Sequence, residues 1–201
     1  MVYVDLRTVK KEELKLVYTE KDYKQKLYRH PEKQKRIKLI SKQIASDFLK
    51  FLDQEYCLGL FLYAGSGWDG VPKETLGLER VIHLSLEETK GNKLKYRLPE
   101  DIVKHGYFGR LGEGVKVQGD FRKCPFKGES FGSCYIHLVW HDAVTEAKQD
   151  IVRVLKKNGL LIIAKASHKF SSKNIYKEYK KVMNPINIKH RFANKFYVLR
   201  K

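Results

Sequence analysis

Cysteine is scarce in this 201-residue chain: there are three, Cys57, Cys124 and Cys134, and none stands in a C-x-x-C arrangement. Three thiols cannot all pair, so neither a disulfide scaffold nor a cysteine-based metal framework is expected. Long apolar runs are missing too. The longest, Cys57 to Ala64, is eight residues, against the roughly 20 that span a bilayer. The opening MVYVDLRTVKKEELK lacks the apolar stretch of a secretory signal. There is no internal repeat and no low-complexity segment. Together these absences lead to the expectation of a soluble, cytoplasmic, single-domain protein without membrane contact, its 42% hydrophobic content enough for a globular core.

Acidic charge is also short: 23 Asp+Glu face 41 Lys+Arg, a formal net charge of +18. The excess is uneven. Residues 1–50 hold 14 basic and 7 acidic side chains, residues 51–164 hold 16 and 15, and residues 165–201 hold 11 and 1. A near-neutral middle between basic ends suggests that the middle holds the core and any cofactor while the ends meet an anionic partner. Nucleic acid, RNA or DNA, is the natural candidate, since basic excess raises affinity for phosphate backbones without specifying sequence. A merely solvated, lysine-rich surface is the plain alternative.

Periodicity supplies the elements. Residues 12–29 read as a polar helix, and His30-Pro31 marks a boundary because the residue before proline is pushed out of the α region. From Pro31 a helix is expected, with Ile37, Ile40, Ile44, Phe48, Phe51 and Leu52 at spacings of three and four. Residues 1–45 are assigned to a basic helical N-terminal extension of one 1–201 domain. The run LGLFLYA (58–64) is apolar on both faces, as in a central parallel strand. Further strands are expected at 80–86, 115–117, 134–140, 160–164 and 196–199, with helices at 143–157 and near 172–183. Asn158-Gly159 is expected to end the first of these two helices with a left-handed cap. Strands alternating with helices point to an α/β fold with a doubly wound, mostly parallel sheet.

The first strand runs straight into Gly65-Ser66-Gly67-Trp68-Asp69-Gly70. Glycines there permit positive φ and let a ligand approach the backbone, at the strand ends where open α/β sheets bind ligands. Four stretches carry a wider likeness: LFLYAGSG (60–67), RVIHLSLEE (80–88), GDFRKCPF (119–126) and DIVRVLKKNGLLIIA (150–164). In this order they resemble the class I S-adenosylmethionine-dependent methyltransferases, Rossmann-like enzymes, from about residue 33 to the C-terminus. The resemblance implies S-adenosylmethionine as cofactor, with Gly65, Ser66 and Gly67 lining its methionine end. It implies that Asp120 and Phe121 contact the adenine, and that His137 falls where the fourth strand meets cofactor and acceptor.

Three departures accompany it. Tyr63 stands where the family often has an acid, and Ser85 holds the usual ribose-acid position with Glu87 two residues on. Gly70, Pro72 and Gly77 interrupt the helix that should follow the loop, glycine and proline costing roughly 1 and 3 kcal/mol in helix interiors. A dinucleotide-binding reading of the glycine loop, with Glu87 on a ribose hydroxyl, leaves 119–126 unexplained. A non-catalytic methyltransferase-like module that binds nucleic acid or a partner protein is the alternative function.

No acceptor motif follows the fourth strand. Cys124-Pro125 reverses the order wanted of a pyrimidine-methylating nucleophile and reads as core. His137 and His141 are the candidate bases for an acceptor proton, their unperturbed pKa being near 6.5; packing at the strand end is the plain reading of His137. Asp142 either orients His141 or caps the next helix. In the tail, Lys165, Lys169, Arg191 and Lys195 are candidate acceptor contacts, with Tyr176, Tyr179, Phe192 and Phe196 interleaved. Basic and aromatic residues together suit a surface that follows a phosphate backbone and stacks bases. Tyr176 and Tyr179 serve equally as core contacts of an amphipathic helix.

Overall fold

The computed structural model describes residues 31–65, 71–85, 107–110, 115–137, 141–165 and 172–201. The expected helix at 12–29 lies outside them. Helix α1 (Pro31–Tyr56) starts on proline, whose missing N–H is no loss in a first turn. Its apolar stripe, Ile37, Ile40, Ile44, Phe48, Leu49 and Leu52, is buried, so residues 37–45 of the basic N-terminal stretch are already part of the core. Cys57 at φ 50 and Gly59 at φ 60 then turn the chain, which delays strand β1 to Phe61–Ala64 although the apolar run begins earlier.

After β1 come α2 (Val71–Leu76), β2 (Val81–Ser85), β3 (Tyr107–Arg110), β4 (Val115–Gln118) and a 3-10 turn at Phe121–Lys123. The second half holds β5 (Phe131–Ile136), α3 (His141–Glu146), α4 (Lys148–Val154), β6 (Leu155–Ala164), α5 (Ser172–Tyr179), β7 (Asn184–Pro185) and β8 (Phe196–Arg200). The sheet order is β3-β4-β2-β1-β5-β6-β8-β7. Strands β4, β2, β1, β5 and β6 are parallel; β3, on β4, and β8, on β6, run antiparallel to them. The chain winds outward from β1 through β2 to β4, then returns to lay β5 on the other side of β1. The direction of winding therefore reverses between β1 and β5, and ligands of such sheets bind at the strand ends beside that reversal. This is the expected Rossmann-like α/β fold.

Alternate residues feed two cores. Phe61 and Tyr63 face α1 and α2, with Tyr135, Ile162, Phe196 and Val198. Leu62 and Ala64 face α3, α4 and α5, with Ile136, Ile151, Ile163 and Tyr179. A helical layer on each face explains why β1 has no polar position.

Three local expectations are corrected. The helix expected at 143–157 is two helices parted at Ala147, and it ends at Val154 because Leu155 is already extended (ψ 136) and pairs with Phe131. Asn158 does take left-handed φ, 65°, but inside β6, where the register jumps from Phe131↔Leu155 to Ser133↔Leu160. The Asn-Gly pair makes a bulge in a strand and not a helix cap. The strand expected at 134–140 occupies Phe131–Ile136 instead. Helix α2 survives Pro72 because proline sits in its first turn. It ends after six residues at Gly77, φ 97, whose N–H donates to Lys73 O.

Candidate cofactor and acceptor site

The parallel strands end together along one edge of the sheet, and most described candidate residues stand there. Gly65 closes β1 with φ 69 while its N–H still donates to Leu84 O at 2.8 Å. The ladder thus continues into a residue whose conformation favours glycine. Ser66, Gly67, Glu87 and Lys169 lie outside the described residues. Ser85 ends β2, paired with Gln118 of β4.

Gly119-Asp120 follows β4. A Cβ on Gly119 would stand 3.1 Å from Leu84 Cδ1, so glycine lets this turn close onto β2. Asp120 Oδ1 accepts Arg122 N–H at 2.9 Å, capping the 3-10 turn, and the Arg122 Nε–H donates to both carboxylate oxygens at 3.0 and 2.8 Å. That bond holds the Asp120 carboxyl below the usual carboxylate range, against the opposing effect of its partial burial. Arg122 also donates to Glu146 Oε2 at 3.2 Å, tying the turn to α3. The Asp120 side chain remains 26% exposed. Phe121 is buried in the second core.

A second set of bonds fixes the rest of this loop. Asp150 Oδ2 accepts Cys124 N–H at 2.9 Å, and Arg153 donates to Asp150 Oδ1, Phe126 O and Cys124 O at 2.7, 2.7 and 3.0 Å. The residues that position Asp120, Arg122 first among them, were not singled out from sequence. The only sequence trace of Arg122 is a basic residue two positions after an acid at a strand end. Cys124 is buried, and burial pushes its thiol up to about 12. A thiol held so far from its thiolate is no nucleophile, which agrees with its reading as core.

Across the strand ends lies a row of rings. Tyr63 is buried with its ring 5.5 Å from His83 of β2 and 5.1 Å from Tyr135 of β5; Tyr135 is 6.0 Å from His137, which follows β5 and is part-buried. His141 is the first residue of α3, which places Asp142 inside the first turn and not at the cap position. Its charge there still favours the helix N-terminus.

Farther along the edge, Lys165 follows β6 and its N–H donates to Lys195 O at 2.9 Å. The Lys165 ammonium stands 4.3 Å over the Tyr197 ring, which stacks on Tyr176 of α5 at 4.3 Å and 15°. Burial lowers the pKa of both lysines, and the charge of Lys165 lowers that of Lys195 further. Arg191 is elsewhere: it donates to Asp47 of α1 at 3.1 Å and lies over Phe192. The tail aromatics divide likewise. Phe192, Phe196 and Tyr179 are core, Phe196 stacked 4.2 Å from Phe48 and Tyr179 donating its hydroxyl to Val144 O. They are not base-stacking platforms.

Residues 63–163, just over half of the chain, match the family described as Methyltransferase domain. The chain belongs to this family. It is a divergent class I S-adenosylmethionine-dependent methyltransferase. No curated protein sequence matches it. Among solved structures it resembles the N-methyltransferase NodS from Bradyrhizobium japonicum WM9, at TM-score 0.54 and 10% identity over 80% of this chain and 95% of that one. It also resembles a Burkholderia thailandensis 1,6-didemethyltoxoflavin-N1-methyltransferase with bound 1,6-didemethyltoxoflavin and S-adenosylhomocysteine. That match has TM-score 0.51 and 16% identity, over 98% of this chain and 93% of that one. The [4+2]-cyclase SpnF matches at TM-score 0.50 and 9% identity, over 79% and 82%. At such identities the likeness is one of fold.

The crevice of this methyltransferase suits the family's methyl donor in its left-handed Gly65 and in a charged, partly exposed carboxylate at Asp120. Tyr63, expected where the family often has an acid, is a buried ring.

Proposed function

We propose that the methyl acceptor is nucleic acid, and that Gly65, Asp120 and His137 are the described residues nearest the chemistry. The observation that carries the acceptor class is the charge of the strand-end edge: Lys165 and Lys195 side by side, in a segment with 11 basic and 1 acidic residues. S-adenosylmethionine, when bound, supplies a methyl group already activated on a sulfonium. The protein's part is to hold, orient and exclude water, and proximity of this kind supplies much of a rate.

In this reading Gly65 leaves the backbone open to the methionine end, with Ser66 and Gly67 beside it. Asp120, kept ionised by Arg122, accepts the adenine amino group, with Phe121 alongside. Ser85 and Glu87 take the ribose, and Tyr63 and Tyr135 form a dry wall beneath. An imidazole nitrogen of His137 takes the acceptor's proton, with His141 as the second candidate base. The basic N- and C-terminal segments supply the nonspecific part of affinity, and Lys169 and Arg191 join them only as general charge.

Calorimetry with S-adenosylmethionine and S-adenosylhomocysteine, with NAD as control, tests the crevice. Both sulfur ligands are expected to bind the wild type, and NAD is not. Asp120→Ala weakens them at least tenfold, about 1.4 kcal/mol, while leaving nucleic-acid affinity nearly intact. Full cofactor affinity in that variant removes the adenine assignment. Methyl incorporation into small molecules or protein but into neither RNA nor DNA removes the acceptor class.

A further inference from the structure

We propose that Lys165 and Lys195 form a phosphate subsite on the acceptor side of the crevice, continued by the outer face of α5 as a track for one nucleic-acid strand. The inference rests on the nucleic-acid reading above and goes beyond it in naming where the strand lies.

Lys165 differs from the part-buried cations that have an acid partner. Arg80 is paired with Asp53 at 2.6 Å, Arg153 with Asp150 at 2.7 Å and Lys148 with Glu178 at 3.4 Å. Among the described residues no carboxylate pairs with Lys165. What holds its ammonium is the face of Tyr197, braced in turn by Tyr176. A cation–π contact orients a charge without neutralising it, so Lys165 stays available to an anion. Lys195 adds a second positive charge at the same strand junction. Two like charges in a partly buried place repel each other, and a phosphate between them removes that cost.

The position is right for an acceptor. Lys165 follows β6, which lies beyond β5 from β1. Two strand spacings, about 10 Å, therefore separate it from Gly65, with His137 between. The subsite also has a direction. Helix α5 is joined to it through the Tyr176–Tyr197 stack, and Lys173, Lys177 and Lys180 are exposed at spacings of four and three on one face. They span about 10 Å along the helix, the axial length of roughly three nucleotides. The one acid of the tail, Glu178, is occupied by Lys148 and Lys181.

The test is fluorescence anisotropy with a labelled twelve-nucleotide single-stranded RNA, and the DNA of the same sequence, over a series of KCl concentrations. The variants are K165Q/K195Q and, as a control of equal charge, K156Q/K157Q. Lys156 and Lys157 are exposed on the same strand, β6, near its opposite end. K165Q/K195Q is expected to lower the slope of log affinity against log salt by about 0.7, since the pair holds one phosphate and each phosphate neutralised on a single strand adds roughly 0.7. K156Q/K157Q is expected to leave the slope unchanged. Equal loss of slope in the two pairs, or none in K165Q/K195Q, overturns the subsite and leaves the nucleic-acid acceptor standing. A wild type that binds neither strand overturns both. Calorimetry of K165Q/K195Q with S-adenosylhomocysteine is expected to match the wild type within twofold; a larger loss assigns the lysines to the cofactor and overturns the proposal.

Discussion

The two edges of the parallel sheet are made of different material. Where β1, β5 and β6 begin, backbone meets backbone. Gly132 N–H donates to Leu60 O at 2.9 Å, Ser133 Oγ donates to Leu58 O at 2.9 Å, and a Cβ on Gly159 would stand 2.9 Å from Lys156 O. Along the edge where these strands end, side chains with chemistry collect: His137 and Lys165 after β5 and β6, with Asp120 after β4 and Lys195 ahead of β8. Glycine serves both edges for opposite reasons. At the beginning it lets strands close on one another, and at the end Gly65 takes a left-handed turn, which the proposed function uses to leave the backbone open to a ligand. If the first edge carries stability and the second the proposed function, substitutions at the two should be separable.

The largest expected effect is at the functional edge. His137→Ala should lower methyl transfer by about 100-fold or more if the imidazole takes the acceptor proton, read as S-adenosylhomocysteine release with RNA as acceptor. Cofactor affinity and urea midpoint should not move. The opposite result, a lowered midpoint with unchanged turnover, would make His137 a packing residue beside Tyr135 and take the base out of the proposed mechanism.

Next comes the structural edge. A Cβ on Gly132 would overlap Leu58 O, a backbone atom held in the turn before β1. Gly132→Ala should therefore cost about 3 kcal/mol, at the upper end of overpacking, measured by urea denaturation. The folded fraction should bind S-adenosylhomocysteine as tightly as the wild type. Loss of affinity in protein that remains folded would mean that strain at one edge reaches the other, and the comparison would fail.

How much of this was legible in the sequence differs in the same way. The strands were legible because burial on both faces leaves a continuous apolar run, and LFLYA and LLIIA have no other reading. Their starts were not. Cys57 and Gly59 turn the chain ahead of β1, and Leu155 leaves its helix early because Phe131 is there to pair with, which no local pattern records. Edge strand β3, four residues with a glycine, left no signal at all. At the site, GDFRKCPF marked Asp120 but not the arginine that holds it. The basic and aromatic tail was visible as composition, yet composition could not say that Phe196 packs on Phe48 while Tyr197 braces Lys165. Sorting those residues needs contacts between segments distant in the chain.

The smallest expected effect distinguishes the edges by pH. Asp53 of α1 takes Arg80 NH1 at 2.8 Å and NH2 at 2.6 Å, and also accepts Leu58 N–H at 3.2 Å, beside the turn that enters β1. Its carboxyl is held below the ordinary value by the Arg80 bond, with burial opposing. A depressed acid contributes stability that is full above its unfolded pKa, near 3.9, and is lost as pH falls through the lower folded value. Asp53→Asn keeps an oxygen for Leu58 and removes the charge. It should therefore lower stability by about 1 kcal/mol at about pH 6, the scale of a part-exposed ion pair, and the gap to wild type should close as pH falls below about 4. Asp120 is depressed in the same direction by Arg122, so cofactor affinity should fall over a similar acid range in both proteins. A gap that persists at low pH would assign the Asp53 contribution to the Leu58 turn and not to its charge. If the acid loss of affinity disappears along with Asp53, the two edges are coupled through α1.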